Sequence, residues 1–172
     1  MGAVPPRRLA LSNRRLVRSF VLAALLLAPS ARAELAAWDQ GKVTGLAKDL
    51  VKATDALHEA FIQQSPPANP GSTQSEAYYR LRFSVWMIHS EASILLTSLE
   101  NGDAREPTQW VYDNLMSHTR SARSEAQRAS VAKEVGERAG AVRGVLNRLG
   151  PYYDPDFQTI APDPNIERGA TP

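Results

Sequence analysis

The chain contains no cysteine among its 172 residues. Disulfide bonds are therefore excluded, as are haem attachment through Cys-x-x-Cys-His and a lipidated bacterial N-terminus, since each needs a thiol. The sequence also lacks alternating strand patterns, internal repeats, glycine-rich phosphate loops and the Gly-x-Ser-x-Gly or His-Glu-x-x-His motifs of hydrolases. Stability must come from an ordinary apolar core, and no motif predicts an enzyme.

The first 33 residues have the pattern of a secretory signal peptide. A basic segment without acids precedes the short apolar run FVLAALLLA, and the small-x-small tripeptide Ala-Arg-Ala follows at residues 31–33. This order predicts export and cleavage between Ala33 and Glu34. The apolar run has about nine residues where a spanning helix needs about 20, so no transmembrane anchor is expected after cleavage. The adjacent arginines at residues 14–15 leave twin-arginine and general secretory export both open.

Cleavage would change the charge of the protein. All 18 acidic residues but only 14 of the 20 basic residues follow residue 33, so the expected mature chain has a net charge of −4. The isoelectric point of about 9.1 belongs to the uncleaved chain. It therefore gives no reason to expect nucleic-acid binding. The mature protein is expected in the periplasm or outside the cell.

Helical periodicity dominates the chain after residue 34. Apolar residues recur at spacings of three and four from Val43 to Phe61 and again from Tyr78 to Leu99. The second helix is apolar around most of its circumference, which predicts that several neighbours bury it at the centre. A third helix begins near Pro107. It either continues to residue 149 or breaks near a capping serine at position 130, and the break is favoured because helices of over 40 residues are rare in small domains.

These patterns predict an all-α fold, an up-down bundle of three long or four shorter helices over residues 34–150. Residues 151–172 form an irregular tail rich in proline and aspartate. The aromatic side chains in the first part of the tail predict that it docks on the bundle. Disorder is expected beyond Pro162.

Two histidines are candidate site residues. His89 and His118 lie on the inner faces of the second and third helices, which the loop at residues 101–106 joins. At 1.5 Å per residue, both lie about 16 Å from that end of the bundle, in one layer. His58 is displaced from this layer by about 12 Å on the same rise, so a three-histidine metal site is not expected.

The His89/His118 pair has three interpretations. The preferred one is a buried polar layer in which each imidazole has a structural partner. In the second, the pair supplies the axial ligands of a haem held between helices. In the third, Met87 and Met116 join the pair in a copper site. Residues two apart on a helix point about 200° apart, which weakens the copper interpretation.

Two further features predict interactions. Gly136, Gly140 and Gly144 form a ridge that lets another backbone approach closely, either a second copy of the chain, giving a homo-oligomer, or the tail. Residues 114–148 carry seven basic and three acidic residues. This run either packs against acidic helices or binds an anionic component of the cell envelope.

The sequence therefore predicts a structural or binding role in the cell envelope, without catalysis. The expected partner is an unidentified protein or an anionic envelope component. The alternative is a haem or copper carrier that uses His89 and His118.

Overall fold

Four helices form the bundle in the structure, a computed structural model that describes residues 34–167. The elements are α1 (Gln40–Gln63), α2 (Thr73–Glu100), α3 (Arg105–Ala126), α4 (Lys133–Leu149), a 3₁₀ turn (Gly150–Tyr152) and the short α5 (Pro164–Glu167). These residues contain no strand, so the all-α prediction is confirmed in its four-helix form. The predicted signal peptide and the last five residues of the tail lie outside the described residues.

The chain breaks between α3 and α4 where a break was predicted, but Ser130 does not cap the new helix. The N-cap position of α4 is Ala132, which has no side-chain acceptor. The Gln64 side chain, just after α1, serves instead. The Ala132 N–H donates to Gln64 Oε1 at 2.8 Å, and Gln64 Nε2 donates to the Ser130 carbonyl at 2.9 Å. The end of α1 thus fixes the turn between α3 and α4.

The helices pack in an open order. Helix α1 packs along both α2 and α4, and α2 packs along α3, whereas α3 and α4 share no interface of that extent in the described chain. Helix α2 is one of the two inner helices in this order, but it has two principal neighbours and not several, and four of its large apolar side chains are exposed. The largest fully buried apolar side chains come from all four helices: Val43, Leu50, Phe61, Leu95, Val111, Leu115, Leu146 and Leu149.

An aromatic cluster closes the end of the bundle where the chain enters α1. Trp38 meets Tyr153 edge to face with ring centres 5.5 Å apart, and Tyr153 stacks on Tyr112 at 4.6 Å. The Arg105 guanidinium lies over the Trp38 ring at 5.3 Å. Burial raises the pKa of both tyrosines. Helix α1 begins at Gln40, directly after Asp39, whose side chain caps it by accepting from the Lys42 N–H at 2.9 Å.

The tail docks over a longer stretch than the sequence predicted. Its aromatic first part is buried or half-buried, as expected. Residues beyond Pro162 also contact the bundle, because Asp163 accepts a hydrogen bond from Gln127 Nε2 at 3.0 Å and Ile166 is buried. The disorder expected beyond Pro162 stays a prediction, and residues 168–172 lie outside the described residues. Ile166 packs against the apolar surface of the bundle, although the sequence around it is rich in proline and aspartate.

Gly150 is a sharp test of tail docking, because a β carbon at this position would overlap the ring of Phe157. We expect Gly150→Ala to lower the free energy of unfolding by about 1–3 kcal/mol, as overpacked sites do. Gly144→Ala is the matched control. A β carbon at Gly144 would face open space on the exposed side of α4. The Gly144→Ala substitution should therefore raise the free energy of unfolding by up to about 1 kcal/mol.

Urea unfolding measures both effects. Adding Phe157→Ala to the Gly150→Ala protein should recover part of the loss. Equal effects of the two alanine substitutions would contradict docking of the tail at Gly150.

Candidate functional site

Two histidines meet between α1 and α2, but they are not the predicted pair. The rings of His58 and His89 stack with centres 5.4 Å apart and planes 7° apart. Asp55, one turn before His58, places Oδ1 3.1 Å from His89 Nδ1. The two atoms are close, yet Nδ1 makes no well-directed hydrogen bond. The contact is an ion pair only when His89 is protonated.

The prediction that His58 lies about 12 Å from the level of His89 is wrong for the two imidazole rings. The prediction places each side chain at the height of its own Cα atom. Side chains on an α-helix lean toward its N-terminus. Because α1 and α2 are antiparallel, these two side chains lean toward each other along the bundle. Within residues 34–167, no group of three His, Cys, Asp or Glu residues is arranged to hold a metal ion.

His118 does not take part in the contact between His58 and His89. It lines a surface hollow between α2 and α3 together with Arg80, Phe83 and Glu125. No described hydrogen bond or ring contact joins it to His89, and neither histidine is fully buried. The geometry of the described residues therefore gives no support to a haem or copper site that uses this pair.

Five of the seven basic residues at positions 114–148 have acidic neighbours. Arg148 Nη2 lies 3.1 Å from Asp49 of α1, and Arg123 Nε lies 3.8 Å from Asp163 of the tail. Three more basic residues pair with acids three or four positions away: Arg128, Lys133 and Arg138. Exposed pairs add little stability. They do compensate charges that an anionic partner would otherwise meet, so the basic run is a weaker anion site than its composition suggested.

A row of exposed apolar side chains follows one side of α2, where Tyr79 and Phe83 border the hollow that His118 of α3 also lines. Tyr79, Phe83, Trp86 and Ile94 are 55, 58, 50 and 39% exposed. Their spacing places them on one side of the helix over about 22 Å, and we call this row the aromatic stripe. Contiguous exposed apolar surface commonly marks an interaction site.

Two exposed arginines border the aromatic stripe. Arg80 and Arg82 are exposed, and neither has an ion pair with any described residue. Residues 77–90 contain no acid. None of the helices in the described chain combines the length and the hydrophobicity of a membrane span. Because its residues are exposed, the stripe is a surface feature with apolar and cationic character.

A cavity of about 100 Å³ lies where α3 and α4 are apart, between the four helices and the tail. Apolar side chains from every helix line it, and Ile160 and Ile166 of the tail complete its wall. The polar side chains that line it are few: Thr119, Arg123, Arg143 and Asp163.

The three glycines of α4 do not share one environment. Gly136 is buried, Gly140 lines the cavity beside the tail, and Gly144 faces open space. Residues four apart advance by about 40° around a helix, so the ridge turns from the core toward the surface. The sequence predicted two possible partners for this ridge, the tail and a second copy of the chain. The tail lines the same cavity as Gly140. A second copy of the chain stays a prediction.

Two polar anchors hold the tail across α3 and α4. Asn147 of α4 donates from Nδ2 to the Ile160 carbonyl at 3.1 Å and accepts from the Ile160 N–H at 2.8 Å. Asp163 Oδ2 accepts from Gln127 Nε2 at 3.0 Å, beside the Arg123 guanidinium. The hydrogen bond from Gln127 holds the pKa of Asp163 below its ordinary value.

Sequence reasoning named the histidines and glycines but missed the aromatic stripe. Its signal was present, since Tyr79, Phe83 and Trp86 fall on one side of a helix with more apolar residues than two neighbours can cover. From the sequence alone, the same excess predicts burial by several neighbours. The cavity had no sequence signal, because it arises from the separation of α3 and α4.

The Asp163 anchor makes docking of the tail sensitive to acid. A carboxyl whose pKa is lowered by folding stabilises the fold fully above its unfolded pKa, near 3.8, and loses that contribution as pH falls through the lower folded value. We expect the NMR methyl signals of Ile160 and Ile166 to shift in that acid range.

Asp163→Asn should abolish this titration step. Asp156→Asn, which changes an exposed acid of the same tail, should leave it in place. A step that persists in Asp163→Asn would assign it to another group.

The chain matches no protein-family model, no curated protein and no solved structure. Its interactions must therefore be inferred from its own surfaces. The described residues offer three: the aromatic stripe, the histidine contact between α1 and α2, and the cavity beneath the tail.

Proposed function

We propose that this protein is an exported, non-catalytic binding module of the cell envelope that docks on an anionic lipid surface through the aromatic stripe of α2. One observation carries the proposal. A row of four exposed apolar side chains lies beside two arginines that have no acidic partner in the described chain. The sequence pattern of the first 33 residues supports export.

The chemistry of the stripe suits a membrane–water interface. Tyrosine and tryptophan combine an apolar ring with a polar group and are enriched at the level of lipid headgroups. Arginine lays its stem along apolar surface while its guanidinium stays in water or on a phosphate. A basic residue near an anionic bilayer contributes about 1 kcal/mol. Arg80 and Arg82 therefore favour an anionic over a neutral surface.

The size of the stripe favours a bilayer over a protein partner. Aromatic side chains bury about 150–250 Å² each, so four large side chains near half exposure offer on the order of 400 Å². A stable protein interface takes about 800 Å² from each partner. A protein, or a second copy of this chain, would need surface beyond the stripe. Peripheral membrane binding needs only that the exposed side chains enter the interface.

Export is tested at the predicted cleavage site. Protein recovered from the cell envelope is expected to begin at Glu34 by N-terminal sequencing. Ala33→Arg should leave the precursor uncut, because the position before the cut requires a small residue. Ala37→Arg, beyond the site, should be cut normally. A chain that begins at Met1 and stays in the cytoplasm would contradict export.

Membrane docking is tested by cosedimentation with phosphatidylglycerol-containing vesicles and with pure phosphatidylcholine vesicles. Trp86→Ala should lower the partition coefficient about tenfold, because about 1.5 kcal/mol of apolar contact is lost. Trp110→Ala is the matched control. Trp110 is 56% exposed on α3 and lies outside the stripe, so its loss should change binding by less than about twofold.

The arginines are tested in the same assay. Replacing Arg80 and Arg82 together by glutamine should remove most of the preference for phosphatidylglycerol, about thirtyfold at low salt. Equal losses in Trp86→Ala and Trp110→Ala would contradict docking through the stripe. Absence of binding to both kinds of vesicle would rule out the membrane partner.

A further inference from the structure

The cavity between the helices and the tail points to a second site, separate from the aromatic stripe. We propose that it binds a small amphiphile with a carboxylate head, a short fatty carboxylate, in the place that the tail partly fills. The proposal rests on what the tail itself supplies there. It presents two apolar side chains, Ile160 and Ile166, and one carboxylate, Asp163.

The walls of the cavity select an apolar chain. Leu57, Val85 and Leu146 come from three different helices and leave about 100 Å³ between them. In another protein, an engineered apolar cavity of about 150 Å³ stays dry and binds benzene. The space here therefore accepts several methylene groups as it stands. A longer chain gains room only by displacing Ile160 or Ile166.

The donors that hold Asp163, one of the residues that line the cavity, select an anionic head. Arg123 forms an ion pair with the Asp163 carboxylate, and Gln127 donates a hydrogen bond to it. The Arg123 Nε lies 3.8 Å from Asp163 Oδ2, well beyond the 2.7–2.9 Å of a charge-assisted hydrogen bond. A mobile carboxylate can approach the guanidinium more closely than one fixed by the tail backbone. Arg123 and Gln127 are therefore the head-group residues of the site.

Binding and tail docking are coupled in this arrangement, since the ligand head and Asp163 compete for the same donors. Weakening the tail anchor must raise the apparent affinity for ligand, because the docked tail then occupies the site in a smaller fraction of the molecules. Asp163→Asn has this effect while it keeps the size of the side chain and leaves the apolar walls of the cavity unchanged. A site that did not involve the tail would not respond in this direction.

The test titrates the purified protein with octanoate, 1-octanol and acetate, using calorimetry and the NMR methyl signals of Val85 and Leu146. Octanoate should bind saturably and shift both signals. Octanol, which lacks the charge, should bind about tenfold more weakly, and acetate, which lacks the chain, should not bind. Failure of octanoate to bind, or equal binding of octanoate and octanol, would overturn the proposal.

Four variants locate the binding. Ala122→Leu fills the cavity from α3 and should weaken octanoate binding at least tenfold, whereas Ala141→Leu on the exposed face of α4 should not. Ala139→Leu fills the cavity from α4 and serves if Ala122→Leu does not fold. Asp163→Asn should bind octanoate several-fold more tightly. Undiminished binding in both cavity variants, or weaker binding in Asp163→Asn, would refute the assignment.

Discussion

The gap between α3 and α4 is the constraint on which the rest of the bundle depends. Helix α1 packs against both α2 and α4, whereas α3 packs mainly against α2. The apolar sides of α3 and α4 must then be covered by something other than each other. The tail covers them with Ile160 and Ile166 and is tied down at Asn147 and Asp163. The cavity is the space that this cover leaves unfilled.

The same open order explains the aromatic stripe. A helix with two principal neighbours keeps a third side in water, and α2 places four large apolar residues on that side. Residues 34–167 thus include two extended apolar surfaces that the helices of this part of the chain do not cover. One is covered by its own tail, and the other is bordered by unpaired arginines and left open. The tail could not cover both, because it follows α4 and is anchored beside α3 and α4.

The sequence was sufficient to predict the helices and the break between α3 and α4, because periodicity and turn residues act locally. It was insufficient wherever a contact joins distant segments. Gln64 caps α4 from 68 residues away, so Ser130 was the only cap that local reasoning could offer. Likewise, counting residues gave the heights of Cα atoms but not the lean of side chains, which is why His58 was separated from His89. The exposed side of α2 depends on which helices are neighbours, and periodicity does not contain that information.

The most direct measurement for the proposed docking uses tryptophan quenching by lipids brominated along their acyl chains. Two proteins are compared in phosphatidylglycerol-containing vesicles, one with Trp86 and one with Trp110 as the sole tryptophan. Docking through the aromatic stripe predicts strong quenching of Trp86 and almost none of Trp110. Equal quenching of the two, or quenching of Trp110 alone, would contradict it.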